Sequence, residues 1–301
     1  MTTGVQTDLN TESAATPLAM RPRSVDPGVR ILRAPAFSPG TVVLGLRTLL
    51  HYSDLLYTLS LFRLNVRYKQ SALGWAWAAL QPLALMGIYT FIFAHVTSVK
   101  TGGIPYPIFV FSALLPWIFF AGAITNSVQG LIAYPNLLTK MYFPREIIPL
   151  SYLAAGIIDF LIASVILAFL MVHYHIALTW NVLYGIPTLM ILGAFAAAMA
   201  LLFSAVHVRF RDVGLAMPFL LQVWMFATPV VYSLQAVPQR FRIFYLLDPA
   251  AGAIDNFRMA VIYGKPPNLP EMFWAAVIAT VSLVAAYAYF KSSEAIMADI
   301  V

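Results

Sequence analysis

Residues 207–213 read HVRFRDV. Two arginines and an aspartate stand between an apolar run that ends near Val206 and another that begins near Gly214. Elsewhere charge is scarce. Of 301 residues, 10% are charged and 61% apolar, and mean hydropathy is +0.81. A soluble domain is roughly 45–50% apolar and about 25% charged. A soluble fold of this length has too little interior for so much apolar surface, so lipid must be the solvent for much of the chain. The knot at 207–213 therefore reads as a loop between two membrane segments.

Working outward from that loop, six apolar segments appear, at about 74–96, 108–130, 149–172, 182–206, 214–232 and 271–290. Each meets the roughly 20 residues that a helix needs to cross a hydrocarbon core of about 30 Å. A helix satisfies its own backbone hydrogen bonds in lipid. A β-barrel would show alternating strands of about ten residues, and the sequence has none. The expected fold is all-α, a polytopic membrane protein of six transmembrane helices within a domain spanning 46–301. Residues 1–45 are rich in Thr, Ser, Pro and Arg, without apolar periodicity or a signal-peptide core. They read as a disordered cytoplasmic tail.

Lys and Arg set the orientation. Eight of them in residues 1–73, with Lys140, Arg145, Arg209, Arg211 and Lys291, fall on one side. Lys100, Arg240, Arg242, Arg258 and Lys265 fall on the other. Both termini and the 207–213 loop are thus expected in the cytoplasm. Arg209, Arg211 and Asp212 serve there either as headgroup anchors or as contacts for a cytoplasmic partner. This asymmetry also accounts for the net charge of +6 without nucleic acid.

Three stretches lie outside the spans. In YSDLLYTLSLFRLNVRYKQSALGW (52–75), Tyr52, Leu55, Leu59, Phe62 and Val66 form one helical stripe. Arg63, Arg67 and Lys69 fall off it. This pattern suits an amphipathic helix lying in the membrane interface, or else a cytosolic helix packed on the bundle. The loop LIAYPNLLTKMYFPREII (131–148) is too polar to span, and Pro135 and Pro144 bracket a short helical stretch that either docks a partner or packs on the bundle. In 233–270, apolar residues flank the break at Asp248–Pro249. Two short helices dipping back toward the outer leaflet fit, since irregular backbone at membrane depth is tolerated only beside protein or a water-filled cavity.

Much chemistry is excluded. There is no cysteine, hence no disulfide, thiolate metal site or Cys nucleophile. There is no phosphate-binding GxxxxGK[ST] loop, HExxH or GxSxG. The chain is expected to be neither an ATPase nor another enzyme. His173 and His175 make a poor metal cage and read as interfacial polar residues. Asp159 lies inside the third span, where a carboxylate is costly. It serves either a hydrogen bond within the bundle or the path and gate. Aromatic faces suit sugar rings. Trp75, Trp77, Tyr89, Phe93, Trp117, Phe120, Trp224, Phe226 and Tyr232 are the candidates to line a translocation path. Interfacial belts explain part of the aromatic content. Tyr89, Phe120 and Trp224 lie too deep for a belt, and lipid-facing or core packing is the competing explanation for each.

Four stretches together resemble the membrane subunit of ABC-2 type exporters, in the polysaccharide branch. They are RYKQSALGWAWAALQPL (67–83), LLTKMYFPREIIPLS (137–151), RFRDVGLAMPFLLQVWMFATPVVYS (209–233) and LLDPAAGAIDNFR (246–258). The resemblance covers about 52–290. One departure is Asp248, where the family often has Asn before the proline. The resemblance implies a homodimeric pore in the bacterial inner membrane, with two copies of a separate ATPase that holds the ATP and Mg. It implies an interface helix at 52–70 carrying Arg63, Arg67 and Lys69. A coupling helix at 134–146 would present Lys140, Tyr142, Phe143, Pro144, Arg145 and Glu146 to the ATPase, with Arg209, Arg211 and Asp212 beside it. An outer gate at 233–268 would include Phe244, Asp248, Pro249, Phe257 and Arg258. The implied cargo is a lipid-linked polysaccharide such as O-antigen or capsule. The alternatives are an ABC-2 exporter of a drug or lipid and a proton-coupled secondary transporter.

Overall fold

The structure is a computed structural model that describes residues 51–69, 71–95, 101–133 and 143–300, with backbone alone at 94, 95 and 295–300. The tail at 1–45, Lys140, Tyr142 and most of the expected coupling helix lie outside the described residues. The helices are α1 (Ser53–Tyr68), α2 (Ala76–His95), α3 (Tyr106–Gly130), α4 (Ile147–His173), α5 (Gly185–Arg209), α6 (Asp212–Ala227), α7 (Arg242–Leu246), α8 (Pro249–Val261) and α9 (Leu269–Ile300). A 3₁₀ turn, Trp180–Tyr184, leads into α5. The described chain is all-helical.

α3 is apolar around its whole circumference and is the central post, buried along most of its length. It touches α2, α4, α5, α6 and α8. α5 packs most extensively against α9. Ala197, Ala198, Ala200 and Ala205 on α5 and Ala275, Ala279 and Ala286 on α9 are buried. Small residues let helix backbones approach closely where lipid offers no hydrophobic drive. The Ser127 hydroxyl adds a cross-link, donating to the Pro149 carbonyl at 2.8 Å.

Among the described residues, five helices are long and apolar enough to span: α2, α3, α4, α5 with its 3₁₀ entry, and α9. The segment expected to span at 214–232 differs. α6 stops at Ala227 after 16 residues, about 24 Å of helix. Thr228 is extended and Pro229 follows it, so the chain leaves the helix and runs irregularly through Ser233. A proline disfavours helical backbone in the residue before it.

The face that α1 packs on the bundle is not its apolar stripe. Its buried face is Ser60, Arg63, Leu64 and Tyr68, while Phe62 and Val66 of the apolar stripe are exposed. The polar side faces α4: the Arg63 guanidinium stacks on the Tyr152 ring at 4.4 Å. Lys69, at the end of the helix, is exposed. The stripe is thereby left for lipid, as an interfacial helix requires.

The Tyr152 ring also fits into the notch at Gly130. A Cβ on Gly130 would lie 1.9 Å from Tyr152 Cε2. We expect Gly130→Ala to lower stability by about 1–3 kcal/mol, because Arg63 holds the ring from the other side. Gly87→Ala, which meets nothing within 4 Å, is the control and should be neutral or stabilising. Thermal unfolding in detergent measures both. A Gly130→Ala protein as stable as the control would mean that the α3–α4 contact yields freely.

Candidate functional site

A cavity of about 540 Å³ lies between α1, α2, α3, α4 and α6. α2 supplies one wall by helical spacing. Trp77, Gln81, Leu85 and Tyr89 recur every fourth residue and all line it, covering about 18 Å of rise. That is more than half of a hydrocarbon core of about 30 Å. α3 contributes Trp117 and Asn126, and α6 contributes Gln222. The wall therefore holds both aromatic faces and neutral amides. An amide both donates and accepts, as a sugar hydroxyl does.

The charge on this wall comes from α1 and α4. Arg67 forms an ion pair with Asp159. The Tyr68 hydroxyl donates to Asp159 Oδ1 at 2.8 Å. Burial, together with the Asp159 carboxylate, pushes the Tyr68 hydroxyl up to about 12, so it remains a donor. Trp75 stacks on Tyr68 with centroids 4.7 Å apart. Of the two readings for Asp159, the bundle hydrogen bond is present, and the same carboxylate also lines the cavity.

The aromatic candidates divide. Trp77, Tyr89 and Trp117 line the cavity. Phe93 lies beyond Tyr89, with ring centroids 6.2 Å apart. Phe120 is completely buried, packed on Trp117, Phe195 and Trp224. It packs inside the bundle behind the wall and is not among the residues that line this cavity. Phe226 is exposed on α6. Trp224 and Tyr232 belong to a second constellation, at the broken end of α6.

There, backbone carbonyls that a continuing helix would have satisfied are met one by one. Arg258, 1% exposed, donates to the carbonyls of Pro229 and Tyr232 and lies 4.2 Å over the Phe109 ring. The Tyr106 hydroxyl donates to the Val231 carbonyl at 2.9 Å. The Tyr232 hydroxyl donates to the Phe226 carbonyl at 2.9 Å and lies 2.8 Å from that of Tyr245. Asp248 accepts from Trp224 Nε1 at 3.1 Å, from the Thr228 hydroxyl at 3.0 Å and from the Ala250 amide at 3.0 Å. Burial pushes its carboxyl up, and these donors pull it back. Asp248 caps α8 with Pro249 at the first helical position. The sequence reading placed Arg258 among loop charges; the structure makes it an internal clamp. Phe257 is buried beside it, whereas Phe244 on α7 is exposed.

At the opposite end, Glu146 is 1% exposed. It accepts from Lys291 Nζ at 2.8 Å and from the Tyr287 hydroxyl at 3.4 Å. Arg145 donates to the Glu294 carbonyl at 2.9 Å. Both residues brace α4 against α9, and the buried Glu146 carboxylate is compensated by the Lys291 ammonium. Phe143 is half-buried against the cluster of Leu131, Ile148 and Phe290, and Pro144 is half-buried beside it. Arg209, Phe210, Arg211 and Asp212 are exposed. His207 behind them accepts the Gly214 amide on Nδ1 at 3.1 Å. Among the described residues, no three His, Cys, Asp or Glu side chains group as metal ligands.

The sequence pattern of the ABC-2 type transporter family matches residues 55–262. The chain belongs to that family. Relatives extend the likeness. An O-antigen export system permease protein RfbA of Myxococcus xanthus is 29% identical over 249 residues, covering 82% of this chain and 95% of the relative. One from Klebsiella pneumoniae is 34% identical over 214 residues, covering 70% and 81%. A polysialic acid transport protein KpsM of Escherichia coli is 24% identical over 243 residues, covering 79% and 93%. For an ABC-2 transporter, the cavity and the broken α6 are the features with chemistry to offer.

Sequence reasoning missed Gln81, Asn126, Gln222 and Tyr68. The signal was present: neutral amides inside apolar spans need an internal partner or a water-filled cavity. For the Arg258 clamp, we expect Arg258→Met to cost about 1–3 kcal/mol for each carbonyl left without a donor. Arg258→Lys should fall between Met and wild type, since an ammonium lacks the planar fork. Thermal unfolding ranks the three. A Met variant as stable as wild type would remove the clamp from the account.

Proposed function

We propose that this chain is the membrane-spanning subunit of an ATP-driven exporter that moves a lipid-linked polysaccharide out of the cytoplasm. The observation that carries this reading is the cavity wall, which brings Trp77, Tyr89 and Trp117 together with Gln81, Asn126 and Gln222. Flat aromatic faces meet the C–H faces of sugar rings, and the amides meet hydroxyls. Many weak contacts hold a long polar chain without trapping it. Membership of the ABC-2 family and the names of the relatives support the same cargo class.

The working unit in this proposal is a homodimer in the bacterial inner membrane with both termini in the cytoplasm. α2 and α6 flank the cavity and carry exposed Ile88, Phe91, Leu215, Phe219 and Val223, an apolar face suited to a second copy. Two separate ATPase subunits supply ATP and Mg chemistry. Exposed Arg209, Phe210, Arg211 and Asp212 touch them, together with the 134–146 segment. The helices α7 and α8 close the outer mouth, hinged on Asp248 and Arg258.

The test is export in cells whose own copy of the gene is deleted. Trp77→Ala with Trp117→Ala should cut surface polysaccharide about tenfold or more, with the protein still inserted in the membrane. Arg209→Glu with Arg211→Glu should reduce co-purification of the ATPase severalfold. Unchanged surface polysaccharide in the deletion strain would overturn the exporter reading. Normal export by the tryptophan pair would remove the cavity from it.

A further inference from the structure

The cavity wall has an unusual electrical balance. Among the described residues that line it, Arg67 and Asp159 are the only charged ones, and they are paired with each other. We propose that the cavity selects an uncharged, hydroxyl-rich glycan over a polyanionic one, and that the Arg67–Asp159 pair sets this selection by cancelling the charge on the wall. This deepens the exporter reading and rests on it.

The geometry supports a role beyond holding α1 to α4. Arg67 retains 36% side-chain exposure and Asp159 retains 21%, so both charges sit at the cavity surface. A cargo passing them feels their sum. Paired, they present a short dipole whose field falls off quickly. Removing either partner leaves a unit charge of known sign beside the path. At about 8 Å and an effective dielectric near 20, one such charge changes the binding of a charged ligand by roughly tenfold or more. The remaining polar lining donates and accepts without charge. Gln81, Asn126 and Gln222 can serve hydroxyls in either sense, but they give a carboxylate-bearing polymer no counter-charge.

The test uses the full-length protein in lipid nanodiscs with two probes, maltohexaose and hexagalacturonate. Binding is read from tryptophan fluorescence, since Trp77 and Trp117 line the cavity. Wild type should bind maltohexaose at least tenfold more tightly than hexagalacturonate. Asp159→Asn leaves Arg67 unpaired and should shift the ratio about tenfold toward the anionic probe. Arg67→Gln should shift it the other way. The double variant, which carries neither charge, should return to the wild-type ratio. A pair with a purely structural role would lower both affinities together and leave the ratio fixed. Equal binding of the two probes by wild type, or an unchanged ratio in the single variants, overturns the proposal. If Asp159→Asn does not fold, Arg67→Gln and the double variant decide on the same terms. Binding of neither probe by wild type would instead remove the sugar-binding cavity, and this proposal with it.

Discussion

A backbone break at membrane depth must find its hydrogen bonds within the protein, because hydrocarbon supplies none. α6 breaks at Thr228–Pro229, and the rest of the structure is arranged around that fact. Arg258 reaches the carbonyls of Pro229 and Tyr232, and Tyr106 reaches that of Val231. To deliver Arg258, α8 must lie against α3 and α5. To start α8 in the right place, Asp248 caps it while holding Trp224 and Thr228. The outer segment is therefore an integral part of the bundle. A guanidinium buried this deeply would be costly alone. Carbonyl oxygens and the face of Phe109 replace its water.

The same economy of charge governs the other end and the cavity. Lys291 bridges Glu146 and Glu294, tying α4 to α9. Arg67 and Asp159 tie α1 to α4. Each pair joins two elements that the apolar pattern alone would leave free to slide. α1 shows the consequence. Its basic face turns inward onto Tyr152 and Asp159, and its apolar stripe turns outward. The side chains that anchor it are the ones that an interface helix in isolation would offer to headgroups.

The helical class and the long spans were legible because length and continuous hydropathy are one-dimensional properties. Both ends of α3, α4 and α5, and the start of α9, fall within three residues of the ends of the apolar runs, whereas α9 continues ten residues past its run. Other features depended on partners distant in sequence. The break in α6 hid inside an apolar run, where ATPVVYS (227–233) reads as one more turn of a span. The internal contacts of Arg258 and Glu146 were not legible, because their partners, Pro229 and Lys291, lie 29 and 145 residues away. For Phe120, depth is readable from sequence and facing is not, and its packing on Phe195 and Trp224 came only from the structure. Trp77, Tyr89 and Trp117 stand on the cavity because spacing on α2 and α3 carries them to one side.

The absence of cysteine from the chain gives the central claim a clean test. Asn126→Cys and Gln222→Cys place single thiols on the cavity, and Phe169→Cys places one on an exposed apolar face of α4. Cells are treated with a small polar, membrane-impermeant thiol reagent, with polysaccharide synthesis either running or blocked. The account predicts labelling at 126 and 222 when synthesis is blocked, severalfold protection when polymer is in transit, and no labelling at 169 in either state. Thiols at 126 and 222 that stay as unreactive as the one at 169, or that react equally whether or not polymer is passing, would contradict a glycan path through this cavity.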